Sequence, residues 1–433
     1  MGRLKVSANG EYFVKDGKKT FLLCDTVWSA VYNISDSEWR AYLDYRKMQG
    51  YNAVQFNSIQ QWDGGTPDLG IYPFERKSDE TFDYYKPNAA YFERARSMMQ
   101  LAADMGFIPM VFVLHASYTA GTWAVKGREE HIMPQDVVRP FAKMVAETFV
   151  GLDPIYIVAG DTNLDNDVTK QYFWEALRGV KEADPEGLCT FHLVPGEELP
   201  EEFTQSELYE YYALQPGHRV VEFHNSYSMP WDYYFNKKRR PIINDEFFYE
   251  GHGHTGEHYG RYDEFDQRKS IWQSILSGAK GGIAYGAHGL WGWNNPDKEF
   301  KNSSYAGPAF TWQTALRFEG AWEGSFAKYI FDQYDLFDLV PFDGIINESA
   351  AQRNEIRVAK SEDGGKIVIY APYSMPVKVA HDLSGYDFVL IDMKHKRFGK
   401  PTVVPCEGGS ELRMYDFNAD ALFIGVRRDG EST

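Results

Sequence analysis

Two carboxylates stand where a folded chain could use them. Asp161 follows the apolar run Ile155-Tyr156-Ile157-Val158-Ala159 and then Gly160. Glu246 follows Pro241-Ile242-Ile243-Asn244-Asp245. Each acid closes a short apolar segment of the kind a buried strand makes. A carboxyl pair flanking one bound sugar can break a glycosidic bond. One carboxylic acid protonates the leaving oxygen, and the other carboxylate attacks the anomeric carbon or activates a water. The two duties require environments that push the pKa values apart. Glu246 runs into Phe247, Phe248 and Tyr249. A carboxylate among so many apolar groups is costly unless it is paired or used. Blander roles are open to both: Asp161 as a helix N-cap, Glu246 as half of a buried ion pair. Glu250 and Glu222 compete for the role of Glu246.

The other apolar runs also end in polar groups. Cys24 is followed by Asp25, Thr26, Val27 and Trp28. Gln55-Phe56 leads to Asn57, and Leu114 to His115. His192 lies within the run 188–194. The run 219–223 leads to His224-Asn225, and the run 282–285 to His288, with Trp291 and Trp293 beyond. Trp28, Trp62, Trp123, Trp291 and Trp293 all fall in expected loops past strand ends. Aromatic faces suit the C–H face of a sugar ring, while their polar edges bond hydroxyls.

The histidines raise a metal hypothesis. His115, His192, His224 and His288 sit on four separate runs, and His252, His254 and His258 form a local HxHxxxH in a glycine-rich loop. No HExxH occurs and the first run offers no HxH. The expectation is no metal and no cofactor, with histidines bonding sugar hydroxyls or the carboxylates. A metal-dependent barrel hydrolase, or a barrel that binds carbohydrate without turnover, remains the alternative. No Ser sits in a GxSxG elbow.

These residues need a scaffold that brings strand ends together. Eight apolar runs (21–24, 51–57, 107–115, 155–159, 188–194, 219–223, 241–244 and 282–285) mostly alternate with helical patterns such as 90–105, 137–149, 172–183 and 266–278. Ser35-Asp36-Ser37-Glu38 reads as a capping box opening another helix. Buried strands alternating with helices predict an α/β fold with a parallel sheet, and eight units fit a closed (β/α)8 TIM barrel. A doubly wound sheet is the rival, but no GxGxxG follows the first strand and no GxxxxGK[ST] occurs. An Asp16-Gly17 hairpin precedes the barrel. From about residue 339 the runs become short and alternating, at 355–358, 366–370, 377–379, 388–391, 402–404, 412–414 and 422–424. They predict an antiparallel β-sandwich. The expected domains are thus 1–338 and 339–433.

A net charge of −17 over 433 residues disfavours nucleic acid and anionic membrane as partners. The short Lys237-Lys238-Arg239-Arg240 run reads as a solvated loop. No apolar stretch reaches a membrane span. Three widely spaced cysteines, Cys24, Cys189 and Cys406, argue against a disulfide framework or a structural zinc site. The N-terminus lacks an apolar leader core, so the location expected is cytoplasmic, or extracellular if a leader has been removed. Nothing marks the oligomeric state.

Several segments together resemble one known family: Tyr12-Phe13-Val14 with Gly17-Lys18, Asp25-Thr26-Val27-Trp28, Gly160-Asp161, and 241–250 from Pro-Ile-Ile through Asn244-Asp245-Glu246 to Glu250. They are similar to the apiosidase-like glycoside hydrolases, the DUF4038 family, related to glycoside hydrolase family 140. The C-terminal strands resemble the small collagen-binding-type sandwich that usually follows. The resemblance implies a retaining hydrolase with Asp161 as acid/base and Glu246 as nucleophile. It implies a plant-type oligosaccharide or glycoside as substrate. Gly160-Asp161 stands where the larger clan of barrel glycosidases usually has Asn-Glu. With that reading, Asp25, Trp28, Asn57, His115, His224, Tyr249, Glu250, His288, Trp291 and Trp293 are the expected sugar contacts.

Overall fold

In the computed structural model, residues 2–61, 68–255, 259–297, 303–346, 355–414 and 418–428 are described. Eight parallel strands close into a barrel. They are β1 (Leu22–Thr26), β2 (Ala53–Asn57), β3 (Ile108–His115), β4 (Ile155–Thr162), β5 (Cys189–Leu193), β6 (Tyr212–Leu214), β7 (Ile242–Asn244) and β8 (Gly282–Tyr285). The ring closes where Ile283 of β8 pairs with Leu23 of β1.

The helices clothing the barrel include α1 (Asp36–Met48), α2 (Ala89–Asp104), α3 (Gln135–Phe149), α4 (Asp167–Ala183), α5 (Asn225–Asn236), α6 (Glu264–Ile275) and α7 (Gly320–Gln333). α1 opens on the capping box expected from sequence: Ser35 Oγ accepts from the Glu38 N–H, and Glu38 Oε2 accepts from the Ser35 N–H at 3.0 Å. Such reciprocal bonds satisfy two donors that the first turn otherwise leaves open.

One expected strand is corrected. The run 219–223 is not β6. Val220–Glu222 makes a 3₁₀ turn, with Val221 62% exposed. The true β6, three residues long, lies just upstream and pairs with both β5 and β7.

Two apolar layers follow from the barrel geometry. Inside, Leu22, Cys24, Met110, Phe112, Ile157 and Ile243 pack with one another. The N-terminal hairpin adds Phe13 to this inner layer, its ring 5.6 Å from that of Tyr211. Asp16 and Gly17 both take positive φ at the hairpin turn, as a type I′ turn requires. Outside, strands and helices share a larger core that runs on into Tyr370, Ile391, Leu422 and Ile424.

Those last residues belong to the C-terminal sandwich. It starts with β9 (Leu339–Pro341) and continues with β10 (Arg357–Ser361), β11 (Lys366–Ala371), β12 (Val377–Val379), β13 (Tyr386–Asp392), β14 (Arg397–Gly399), β15 (Thr402–Cys406), β16 (Gly409–Arg413) and β17 (Ala421–Arg427). One sheet has the order β9-β10-β11-β17-β13-β14 and the other β12-β16-β15. The sandwich docks on α6 and α7. Arg268 of α6 forms two 2.7 Å bonds to the buried Asp420, Lys269 bonds Glu355 at 2.6 Å, and Lys396 bonds Glu323 of α7. The three cysteines are free thiols. Among the described residues no helix is long and apolar enough to cross a membrane.

Candidate active site

The C-terminal ends of the barrel strands open onto a cavity of about 640 Å³. Its wall includes Asp161, Glu246, Trp28, Asn57, His115, Tyr249 and Trp291. These seven residues are brought together as the sequence suggested. The wall also holds Phe112, Trp123, Asn163, His192, Gln215, His218, His252 and Tyr305.

Glu246 is held from several sides. Its Oε1 accepts from His218 Nε2 at 2.9 Å and Gln215 Nε2 at 3.1 Å. Trp28 donates its indole N–H to the Tyr249 hydroxyl at 2.9 Å, and that phenol in turn bonds Glu246. His192 faces Glu246 Oε2 at 3.5 Å through Nε2 and Asp245 Oδ2 at 2.8 Å through Nδ1. Burial alone would raise the pKa of Glu246. The His218 bond and the charges of His192 and His218 outweigh it, so the carboxyl is lowered and ionised.

Asp161 goes the other way. Burial and the neighbouring Glu246 charge push its pKa up to about 6, with His192, His218 and Gln215 opposing. Its backbone is left-handed, φ 48°, a conformation Asp tolerates better than most side chains. Gly160 before it is required sterically. A Cβ there would lie 2.8 Å from Phe112 Cδ1 and 3.3 Å from His115 Cδ2.

His115 is neutral, its pKa lowered to about 3 chiefly by burial. Its Nδ1 accepts from the Ser117 backbone N–H at 3.1 Å. That bond assigns the ring proton to Nε2, which is buried and has no partner among the described residues. Asn57 is turned by a 2.9 Å bond to Gln61.

Five expected sugar contacts are corrected. Asp25 is fully buried behind β1, bonded by Arg46 and Tyr42 at 2.6 Å each. A strand alternates its faces, and this residue points at α1. Glu250 takes Tyr285 Oη at 2.5 Å and the Gly320 N–H at 2.9 Å, away from the cavity. Trp293, with φ 52°, turns back to stack on Trp312 at 4.3 Å. His288 lies behind the wall, its Nε2 3.0 Å from the Gly307 carbonyl. His224 is exposed at the N-terminus of α5, its Nδ1 3.0 Å from the Val221 carbonyl. Glu222, the other rival acid, accepts from the Arg219 N–H in the 3₁₀ turn. Trp62 and His258 lie outside the described residues.

Gln215 and His218 were hidden by the misplaced β6, since they directly follow its true end. Among the described residues, no three His, Cys, Asp or Glu side chains are grouped to hold a metal ion. His252 instead stacks on His218 at 4.6 Å.

Solved structures share this architecture. One titled as a glycoside hydrolase superimposes with a TM-score of 0.81 at 19% identity, covering 99% of this chain and 98% of its own. A glycoside hydrolase family 5 protein from Bacteroides vulgatus gives 0.80 at 18% identity, covering 100% and 95%. The endo-1,4-beta-mannanase of Rhizomucor miehei matches more loosely, 0.53 at 12% identity, over 77% of this chain and 100% of its own. No curated protein sequence is significantly similar. The family model described as "Apiosidase-like, catalytic domain" matches residues 7–338, and the chain belongs to that family of glycoside-hydrolase-type TIM barrels.

Proposed function

We propose that the chain is a retaining glycosidase acting on a plant-type oligosaccharide or glycoside, with Asp161 as acid/base and Glu246 as nucleophile. One observation carries the reading. The two carboxyls end β4 and β7, face one cavity and shift in opposite directions, so one keeps its proton while the other is ionised. Family membership supports the reaction class.

Glu246 attacks the anomeric carbon as the bond to the leaving oxygen breaks. That oxygen takes the electron pair and the proton of Asp161. The sugar is then an ester of Glu246. Water enters, gives a proton to the Asp161 carboxylate and attacks the same carbon, and the ester electrons return to Glu246. The sum is one glycosidic bond hydrolysed with both carboxyls restored, and two inversions retain the configuration. Trp28, Tyr249, Trp291 and Phe112 supply ring faces, and Asn57 supplies a polar contact.

The test is a panel of aryl glycosides with the anomer of the first product read by NMR. Retained configuration is expected, and Glu246→Gln abolishes turnover while the circular dichroism spectrum stays unchanged. An inverted product, or full activity in Glu246→Gln, overturns the assignment. A trapped glycosyl-enzyme supports it further when its structure shows carboxyl groups about 5–5.5 Å apart.

A further inference from the structure

Among the buried ionisable groups at the cavity, His192 has no role in the steps above. Its ring is 1% exposed and lies on β5, between the two acids in chain order. Both ring nitrogens meet carboxylates: Nδ1 is 2.8 Å from Asp245 Oδ2, and Nε2 is 3.5 Å from Glu246 Oε2. A neutral imidazole carries a proton on only one nitrogen and would turn a lone pair on the other toward a carboxylate oxygen. The Trp28 and Phe112 rings stand 6.3 Å and 5.3 Å away and keep this spot apolar, which strengthens charge interactions there.

We propose that His192 is held as an imidazolium bridging Asp245 and Glu246, a positioning residue that sets the charge state of both catalytic carboxyls. The proposal rests on the assignment of Asp161 and Glu246 above.

The groups facing His192 come from three strand ends: Asp245 and Glu246 after β7, Asp161 near the end of β4, and the neutral His115 at the end of β3. Burial lowers the pKa of His192, but the Asp245 bond and the charges of Asp245 and Glu246, joined by Asp161 where that carboxyl is ionised, outweigh it and raise it overall. The cation favours the anionic form of Glu246 and also opposes the upward shift of Asp161. It therefore helps Glu246 to leave when the glycosyl ester breaks.

Two measurements test this. In ¹⁵N-histidine-labelled wild-type protein, long-range ¹H–¹⁵N spectra report the protonation of each ring nitrogen. The His192 signal is identified by its loss in His192→Gln, or by its response to Asp245→Asn should the first variant fail to fold. Both nitrogens are expected to carry protons at about pH 7.5, where an ordinary imidazole is mostly neutral. A neutral His192 overturns the proposal. In His192→Gln, loss of the cation raises both carboxyl pKa values, so both limbs of the kcat/KM profile should move toward alkaline pH by about one unit. Lower activity with unmoved limbs indicates a merely structural role and overturns it. If the wild type hydrolyses no glycoside, the glycosidase reading fails, while the NMR measurement still decides the charge on His192.

Discussion

Trp123 donates its indole N–H to the backbone carbonyl of Asp161 at 2.9 Å. The ring is 40% exposed at the cavity wall, and its own backbone N–H bonds Asn163 Oδ1 at 3.2 Å. One aromatic residue from the loop after β3 therefore braces the left-handed backbone that aims the proposed acid. Trp123→Ala removes that brace. A net hydrogen bond contributes about 0.5–1.5 kcal/mol, so kcat/KM should fall about 2–10-fold from this loss alone. Trp123→Phe keeps a ring but not the donor. Equal kinetics in Trp123→Phe and the wild-type enzyme would show that the bond is idle.

Asp161→Asn should cost about 10²–10⁴-fold in kcat on glycosides with poor leaving groups. The loss should be much smaller for the first step on aryl glycosides whose leaving group departs without a proton. Steady-state rates across a series of leaving groups measure this. A uniform loss across the series would remove Asp161 from the acid role.

The pH dependence has a definite sign. Asp161 must be protonated to act, and its pKa of about 6 lets it keep the proton up to that pH. Glu246 must be ionised, and its lowered pKa keeps it so into more acidic solution. Activity should therefore fall as pH rises through about 6 and fall again in acid as Glu246 takes up a proton. Asp161→Asn should lose the alkaline limb and keep the acid one. A profile flat through that region contradicts the assignment.

Gly160→Ala places a methyl group 2.8 Å from Phe112 Cδ1. Overpacking of this sort costs about 1–3 kcal/mol, visible as a lower melting temperature together with reduced activity. Phe112→Leu in the same chain should recover part of the stability. Additive effects of the two changes would mean the contact does not limit the site.

Arg46→Met leaves Asp25 buried without its partner. Breaking such a pair costs about 3–5 kcal/mol, to be read from urea unfolding. The pair lies outside the cavity, so KM should hold in whatever fraction folds. A changed KM would return Asp25 to the sugar site.

Most of the barrel was legible because its strands are buried on both faces and read as near-continuous apolar runs. Ile155 to Ala159 and Ile242 to Asn244 could hardly be otherwise, and Asp161 and Glu246, which follow them, line one cavity. β6 was not legible. Tyr212-Ala213-Leu214 is too short to show a period, while Val220-Val221 imitates a strand in a turn that exposes Val221. His218 and Gln215 were lost with it. Trp291 and Trp293 look alike in sequence, and only the left-handed backbone at Trp293 sends the second ring into the core. Asp25 failed for a different reason. Strand-end polarity does not say which face a side chain takes, and the partner that decides it, Arg46, lies 21 positions away on α1.

Arg268 leaves the outer wall of the barrel to meet Asp420, and the apolar layer beneath continues from one body into the other without a seam. A gene fusion lending residues 7–338 to another chain would therefore carry an unfinished surface, bare of Tyr370, Leu422 and Ile424. Inheritance of this enzyme should proceed by whole chains, with the sandwich travelling as part of the barrel's foundation.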